Sequence, residues 1–104
     1  MIRQFDVLAN PSARSRAVIP FIVALQSHFL EEMPTVLVAP LVRIPPDAVY
    51  TRVALPVTFQ DEDLMLSLAE MAAVSKASLS APVGNLASHE DAIRRALDRL
   101  FTGF

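Results

Sequence analysis

The sequence predicts a mainly β (α+β) fold, in which a small antiparallel β-barrel or strongly bent sheet carries one C-terminal helix. Short apolar segments rich in β-branched residues recur along most of the chain, and turn-forming residues separate them. A clear helical period appears only in the last segment, from Ser88 to Phe104. The chain has 104 residues, the length of one domain, so we expect residues 1–104 to form a single unit.

The first half of the chain contains three predicted strands. The first alternates polar and apolar side chains, the second is apolar throughout and is expected to be buried on both faces, and the third is rich in valine and leucine. Turns are predicted at Asn10-Pro11-Ser12 and at Pro45-Pro46-Asp47. Pro20 lacks an amide proton, so it is expected at a sheet edge or bulge. The strands are residues 4–9, 18–26 and 35–44, with a break at residues 27–32.

The second half begins with a predicted hairpin. Residues 51–59 favour a strand, and residues 60–63 favour the hairpin tip. Alternating leucines in residues 64–71 then favour a strand over a helix. A short strand is expected near Ala72–Val74, and residues 82–85 form a predicted loop before the helix.

The C-terminal segment has the features of an amphipathic helix. Ser88 is a candidate N-cap, and Glu90 and Asp91 place negative charge at the positive end of the helix dipole. Gly103 can adopt a left-handed conformation and end the helix. Apolar residues recur along one face, at Ile93, Ala96, Leu97, Leu100, Phe101 and Phe104. Such a stripe usually covers a core; the alternative is that Thr102-Gly103-Phe104 contacts a partner.

The composition argues against several classes of protein. The chain has no cysteine, and hence no disulfide framework and no cysteine-based metal site. Its net charge of −2 is unfavourable for a phosphate-binding surface, so direct contact with nucleic acid is not expected. No apolar run reaches the ~20 residues of a membrane helix, and no signal peptide is evident, so we expect a cytoplasmic protein without membrane contact. The hydrophobic fraction of 53% is high for a small monomer and favours a homo-oligomer interface or an obligate partner.

Candidate catalytic and metal-binding residues are few. Asp61, Glu62 and Asp63 carry ligands for a divalent cation, but consecutive acids on an extended chain point to alternating sides, which favours a solvated turn. Neither His28 nor His89 belongs to a metal-binding motif, and no serine has a GxSxG context. We therefore expect no cofactor, no metal ion and no catalytic residue.

The enzymatic alternative is a ribonuclease built on a small barrel. Such an enzyme would place an arginine, a serine or threonine and an acid near a basic groove. Ser12, Arg14 and Arg16 in the first connection could supply the first two groups. The acidic balance of the chain weakens this alternative, because RNA is held through its phosphates.

A set of short matches in a fixed order runs along the whole chain. The matches are Phe5-x-Val7, Gln26-Ser27, Val38-x-Pro40-Leu41, Pro56-Val57, Asp61-Glu62, Met71-Ala72-x-Val74, Leu86, Glu90, Ile93, Ala96, Phe101 and Gly103. Each is weak alone, whereas their order and the aromatic–x–Gly–apolar C-terminus are fairly specific. In these residues the sequence resembles the CcdB family of bacterial toxins.

The resemblance implies a homodimer of SH3-like antiparallel β-barrels, each with a C-terminal helix, that acts by binding and not by catalysis. Toxins of this family bind the A subunit of DNA gyrase and trap the enzyme on cleaved DNA. A cognate CcdA-like antitoxin neutralises them, and plasmid maintenance is the associated role. In this chain the resemblance places the gyrase contact at Ser27, Phe29, Asp98, Phe101, Thr102, Gly103 and Phe104.

The chain departs from the family pattern at two of these positions. Thr102 stands where the family has a tryptophan, and Asp98 stands where it usually has an amide. A tryptophan at a binding surface supplies a large flat area and can stack on an arginine. The alternatives are therefore a CcdB-like interaction protein that binds antitoxin without poisoning gyrase, and the ribonuclease.

Overall fold

The computed structural model describes residues 2–27, 32–48 and 53–103. The strands in these ranges are β1 (Asp6–Ala9), β2 (Phe21–Ala24), β3 (Thr35–Arg43), β4 (Ala54–Phe59), β5 (Glu62–Ser67), β6 (Ala72–Ser75) and β7 (Gly84–Asn85). The α-helix is α1 (Glu90–Thr102), and single 3-10 turns lie at Leu68–Glu70, Lys76–Ser78 and Ala87–His89. No helix within these ranges is long and apolar enough to cross a membrane.

The strands form one antiparallel sheet in the order β4-β5-β3-β2-β1-β7. β6 pairs with the first half of β3, on the same edge where β5 pairs with the second half. The predicted mainly β architecture with a C-terminal helix is confirmed. The predicted break at 27–32 and the start of the predicted strand at 51 fall mostly on positions outside the described residues.

An aromatic contact joins the two ends of this sheet. Phe59 lies on β4, and its ring atoms Cε1 and Cζ are 2.5 and 2.6 Å from the position that a Cβ would take on Gly84 of β7. Phe21 packs against the same ring edge-to-face, with centroids 5.1 Å apart. Because β4 and β7 are the two terminal strands of the sheet order, the sheet must curl for this contact to form. The result is a barrel-like half-cylinder.

The prolines within strands lie where no ladder hydrogen bond is lost. Leu37 and Arg43 both form backbone hydrogen bonds towards the β2 side, so the odd-numbered residues of β3 face β2. Pro40 therefore faces the other edge, at the junction where pairing with β6 gives way to pairing with β5. In β4 the carbonyl of Val53 accepts from the β5 side, so Pro56 faces the free edge of the sheet.

Both faces of the central strands are buried, as predicted for the second strand. The face towards α1 carries the larger core, which includes the fully buried Val23, Leu41 and Ile93. The alternate residues form a second cluster on the opposite face, at Leu8, Ile22, Ala24, Val36 and Val38. The high hydrophobic fraction of the sequence is thus partly used in building two apolar layers around one thin sheet.

The predicted hairpin is confirmed, but its tip is shorter than expected. Phe59 pairs with Glu62, which leaves only Gln60 and Asp61 in the turn. Both have positive φ angles, 51° and 61°, as a two-residue turn with the twist of a β-hairpin requires. Glu62 and Asp63 therefore belong to β5 and not to the tip.

The start of α1 differs from the prediction. Ser88 is not the N-cap, because residues 87–89 form a 3-10 turn and α1 begins at Glu90 after His89. The Ala87 amide, at the start of this 3-10 turn, donates a hydrogen bond to Asn85 Oδ1 at 2.7 Å. The predicted loop at 82–85 is also wrong in part, because Gly84–Asn85 pair with β1. At the other end, Gly103 has φ +82° and ends the helix as predicted.

We expect Gly84→Ala to lower the free energy of unfolding by about 1–3 kcal/mol, the usual cost of added volume in a packed contact. The new methyl group would meet the Phe59 ring, which also packs edge-to-face with Phe21. Urea unfolding followed by circular dichroism measures this cost. Phe59→Leu should then destabilise the Gly84→Ala protein less than it destabilises the wild type, because the smaller side chain makes room.

Gly103→Ala is the matched control for this cycle. It adds the same methyl group at a position with no other atom within 4 Å, so its cost comes from the positive φ alone. That cost must not depend on residue 59. If Phe59→Leu is additive with both glycine substitutions, the ring does not press on Gly84 and the proposed closure is wrong.

Candidate functional site

The apolar stripe of α1 leaves the core before the helix ends. Ile93 and Ala96 are fully buried, and Leu97 and Leu100 are partly buried. Phe101 is 71% exposed, the most exposed large apolar residue in the described part of the chain. The helix therefore covers the core with its first half and presents an aromatic ring to solvent at its C-terminal end.

The last turn of α1 is ordered by its own hydrogen bonds. The hydroxyl of Thr102 donates to the carbonyl of Asp98 at 2.5 Å, and the amide of Gly103 donates to the carbonyl of Arg99 at 3.0 Å. Asp98, Thr102 and Gly103 are all exposed. Because the Thr102 hydroxyl is used within the helix, this side chain offers little more than its methyl group to a partner.

The structure brings together Asp98, Phe101, Thr102 and Gly103 as one exposed surface, which we call the α1 terminus. Ser27 is half-buried and follows β2, on a separate part of the chain. Phe29 and Phe104, the other two expected contact residues, lie outside the described residues.

The first connection, between β1 and β2, is organised by a buried asparagine. Asn10 is only 6% exposed; its Nδ2 donates to Ser15 Oγ and to the Ile19 carbonyl, and its Oδ1 accepts from the Ser12 amide. Arg16 Nε donates to the Asn10 carbonyl at 2.6 Å. The sequence signal for this role was the Asn-Pro pair, interpreted above only as a turn.

Arg43 of β3 holds the same connection from outside. Its Nη1 donates to the carbonyls of Arg16 and Ala17, and its Nε pairs with Glu62 Oε2 at 2.7 Å. Arg16 and Arg43 thus both donate hydrogen bonds to backbone carbonyls of this region. Arg14 is exposed.

A small groove of about 160 Å³ lies beside the first connection. Asn10, Ser15 and Glu70 are its polar lining, and the remaining lining is apolar. Arg14 and Arg16 do not line it. Among the described lining residues the groove therefore combines an acid and a hydroxyl without an arginine, whereas a ribonuclease holds its phosphodiester through cationic groups.

The acids of the hairpin are occupied by protein partners. Glu62 pairs with Arg43, and Asp63 Oδ1 accepts from the Thr58 hydroxyl at 2.8 Å. In residues 2–27, 32–48 and 53–103, no three side chains form a group that could hold a metal ion. His89 has its Nδ1 3.2 Å from Ser88 Oγ, and His28 lies outside the described residues.

Solved structures of similar shape include bacterial toxins. The Mycobacterium tuberculosis toxin MazF-mt6 superposes with a TM-score of 0.72 at 19% sequence identity, over 95% of this chain and 96% of that one. A second structure, described as an Mtb toxin, has a TM-score of 0.67 at 20% identity, over 80% and 92% of the two chains. At such identities the similarity shows the fold alone.

Sequence comparison is more specific. No curated protein matches the chain. The family model for CcdB protein, however, matches residues 4–103, which include every strand of the sheet and the whole of α1. The chain belongs to the CcdB family.

Proposed function

We propose that the protein is the toxin of a toxin–antitoxin module and acts by binding the A subunit of DNA gyrase, with no catalytic step of its own. Family membership supports the role of toxin. The observation that carries the proposal further is the α1 terminus, where the ring of Phe101 is 71% exposed at the end of an otherwise buried stripe.

The α1 terminus has the physical properties of a binding surface. Large aromatic side chains are enriched among the residues that dominate interface energies, because they bury much area with few rotatable bonds. Phe101 stands on a helix anchored in the core by Ile93 and Ala96. Gly103 adds an open backbone with no atom within 4 Å of its Cβ position. A partner can therefore approach both the ring and the main chain.

Binding through this surface is expected to be weaker than in toxins with the usual tryptophan. The hydroxyl of Thr102 is bonded to the Asp98 carbonyl, so the side chain has neither area nor a free donor to replace an indole. Loss of an aromatic anchor typically costs ~2 kcal/mol or more, which corresponds to about thirtyfold in affinity. Phe101 is then the main aromatic contact that the described part of this surface offers.

We further propose a cytoplasmic homodimer that binds a cognate CcdA-like antitoxin. Val18, Met33, Val83 and Phe101 remain between 45% and 71% exposed, although each is apolar. Covering such residues in a second copy or an antitoxin lowers the area of apolar surface in water. The alternative of a CcdB-fold protein that binds antitoxin without poisoning gyrase shares this surface and differs only in its partner.

A ribonuclease is the second candidate, favoured by the similarity in fold to MazF-mt6. The residues around the first connection argue against this candidate. The groove next to the first connection lacks the two arginines of that connection, and Arg16 is engaged with the Asn10 carbonyl.

The gyrase proposal predicts a gain on restoring the aromatic side chain. With purified gyrase and supercoiled plasmid, the wild-type protein should trap cleaved DNA weakly. Thr102→Trp should trap it at roughly thirtyfold lower concentration, because the indole adds the missing contact area. Thr102→Val is the matched control, since it removes the hydroxyl and keeps the shape, and it should behave as the wild type. Absence of trapping by both the wild type and Thr102→Trp would contradict the proposal.

The same proposal predicts no cleavage of RNA by pure protein. Incubation with a long single-stranded RNA, followed by gel electrophoresis, measures this. Cleavage that disappears on Arg14→Ala would establish the ribonuclease instead. Both arginines are exposed, and Arg14 is the one to test because Arg16→Ala would also release the backbone of Asn10.

A further inference from the structure

Asp6 is a buried carboxylate without a counter-ion among residues 2–27, 32–48 and 53–103. It lies at the start of β1 and is 7% exposed. Its Oδ2 accepts from the Arg3 backbone amide at 2.7 Å, and its Oδ1 accepts from Asn85 Nδ2 at 2.9 Å. Both donors are neutral. Neither the Arg43–Glu62 nor the Arg94–Glu90 ion pair involves Asp6.

A cavity of about 490 Å³ lies directly beside this carboxylate. Asp6, Asn85 and Phe5 line it from the β1–β7 edge, Glu90 lines it from the start of α1, and Arg3 lines it from the N-terminal segment. Glu90 uses its Oε2 in the pair with Arg94 and has Oε1 left over. The volume is in the range of pockets that bind small molecules or single side chains.

The chemistry of the lining favours a cation on an aliphatic stem. Buried charges in proteins are normally paired, and a carboxylate has about four acceptor positions, of which Asp6 uses two. A guanidinium or ammonium group would meet both Asp6 and Glu90, while its stem would lie along Phe5 and Ala87. Arg3 carries the only cation on the lining and would compete with such a ligand.

We propose that this cavity, the Asp6 cavity, binds an alkylguanidinium or alkylammonium group. An arginine or lysine side chain of a partner polypeptide and a free polyamine present the same chemistry. The Asp6 cavity is next to the first turn of α1, roughly 17 Å along the helix from Phe101. The proposal therefore does not depend on the gyrase contact, and neither result decides the other.

Titration of ¹⁵N-labelled protein with agmatine, putrescine and N-acetyl-arginine methylamide tests the proposal. The NMR signals to follow are the Arg3 backbone amide and the Asn85 side-chain amide, because both donate directly to Asp6. We expect saturable shifts with the cations and none with N-acetyl-citrulline methylamide, the neutral control of nearly equal shape. Tighter binding of the arginine derivative than of agmatine and putrescine points to a polypeptide source, and the reverse order points to a polyamine.

Three variants make the test specific. Glu90→Gln should weaken binding by roughly tenfold, as expected for losing one charge-assisted contact. Arg3→Gln should strengthen it, because the competing cation is removed. Asp6→Asn should abolish binding. An asparagine would turn its NH₂ group towards one of the two donors that Asp6 now accepts from, so circular dichroism must show that this variant is folded. If it is unfolded, Glu90→Gln and Arg3→Gln decide. Equal shifts with the neutral control or with potassium chloride, or weaker binding in Arg3→Gln, would overturn the proposal.

Discussion

The ring of Phe59 against the backbone of Gly84 is the contact on which the rest of the structure depends. Hydrogen bonds link neighbouring strands from β4 to β7, and within the described pairings none closes the two ends of the sheet on each other. The contact of Phe59 with Gly84 does so instead, and the Phe59 ring also packs edge-to-face with Phe21. It fixes β7, and Asn85 of β7 in turn sets the start of the 3-10 turn before α1. The position of the helix, and hence of Phe101, is tied to this contact, because Phe59 and Phe21 pack against the same core that α1 covers.

Sequence patterns predicted most of the elements but not the contacts that arrange them. The apolar runs and the Asn-Pro and Pro-Pro turns locate the central strands, because strand periodicity is a local property. The close approach of Phe59 joins residues 25 positions apart in the chain, between 59 and 84, and no local signal announces it. The same reason explains the error at Ser88. The Ser88 hydroxyl suits an N-cap. However, Asn85 pairs with β1 and sets where the 3-10 turn begins, so α1 starts after Ser88.

The sequence predicted the buried stripe of the last segment but not the surroundings of the α1 terminus. The periodicity of the last segment predicted a core stripe, and Ile93 and Ala96 are indeed buried. Phe101 continues the same period and is exposed, because the helix extends past the sheet that covers its first half. The bond from Thr102 to the Asp98 carbonyl depends on rotamer choice, which a pattern of residue types does not encode. Asp6 appeared in the sequence only as one polar residue of an alternating strand, and its burial comes from β7 packing beside it.

The fold alone does not choose between poisoning by binding and cleavage of RNA, since one fold can carry unrelated activities. The choice must come from sites on the shared sheet. The first connection is braced by Asn10, Arg16 and Arg43 and leaves its groove without an arginine. The α1 terminus, by contrast, is exposed and apolar on a rigid support. The exposure of the α1 terminus is the observation that supports the proposal of a binding protein.

The most direct measurement is the affinity of the purified protein for the gyrase A subunit by surface plasmon resonance, comparing Phe101→Ala with Arg94→Ala. Both residues lie on α1 and both are exposed, but Arg94 is on the outer face and pairs only with Glu90. Phe101→Ala should weaken binding by about thirtyfold or more, and Arg94→Ala should leave it nearly unchanged. Equal affinities for the two variants, or no binding by the wild type, would contradict the account.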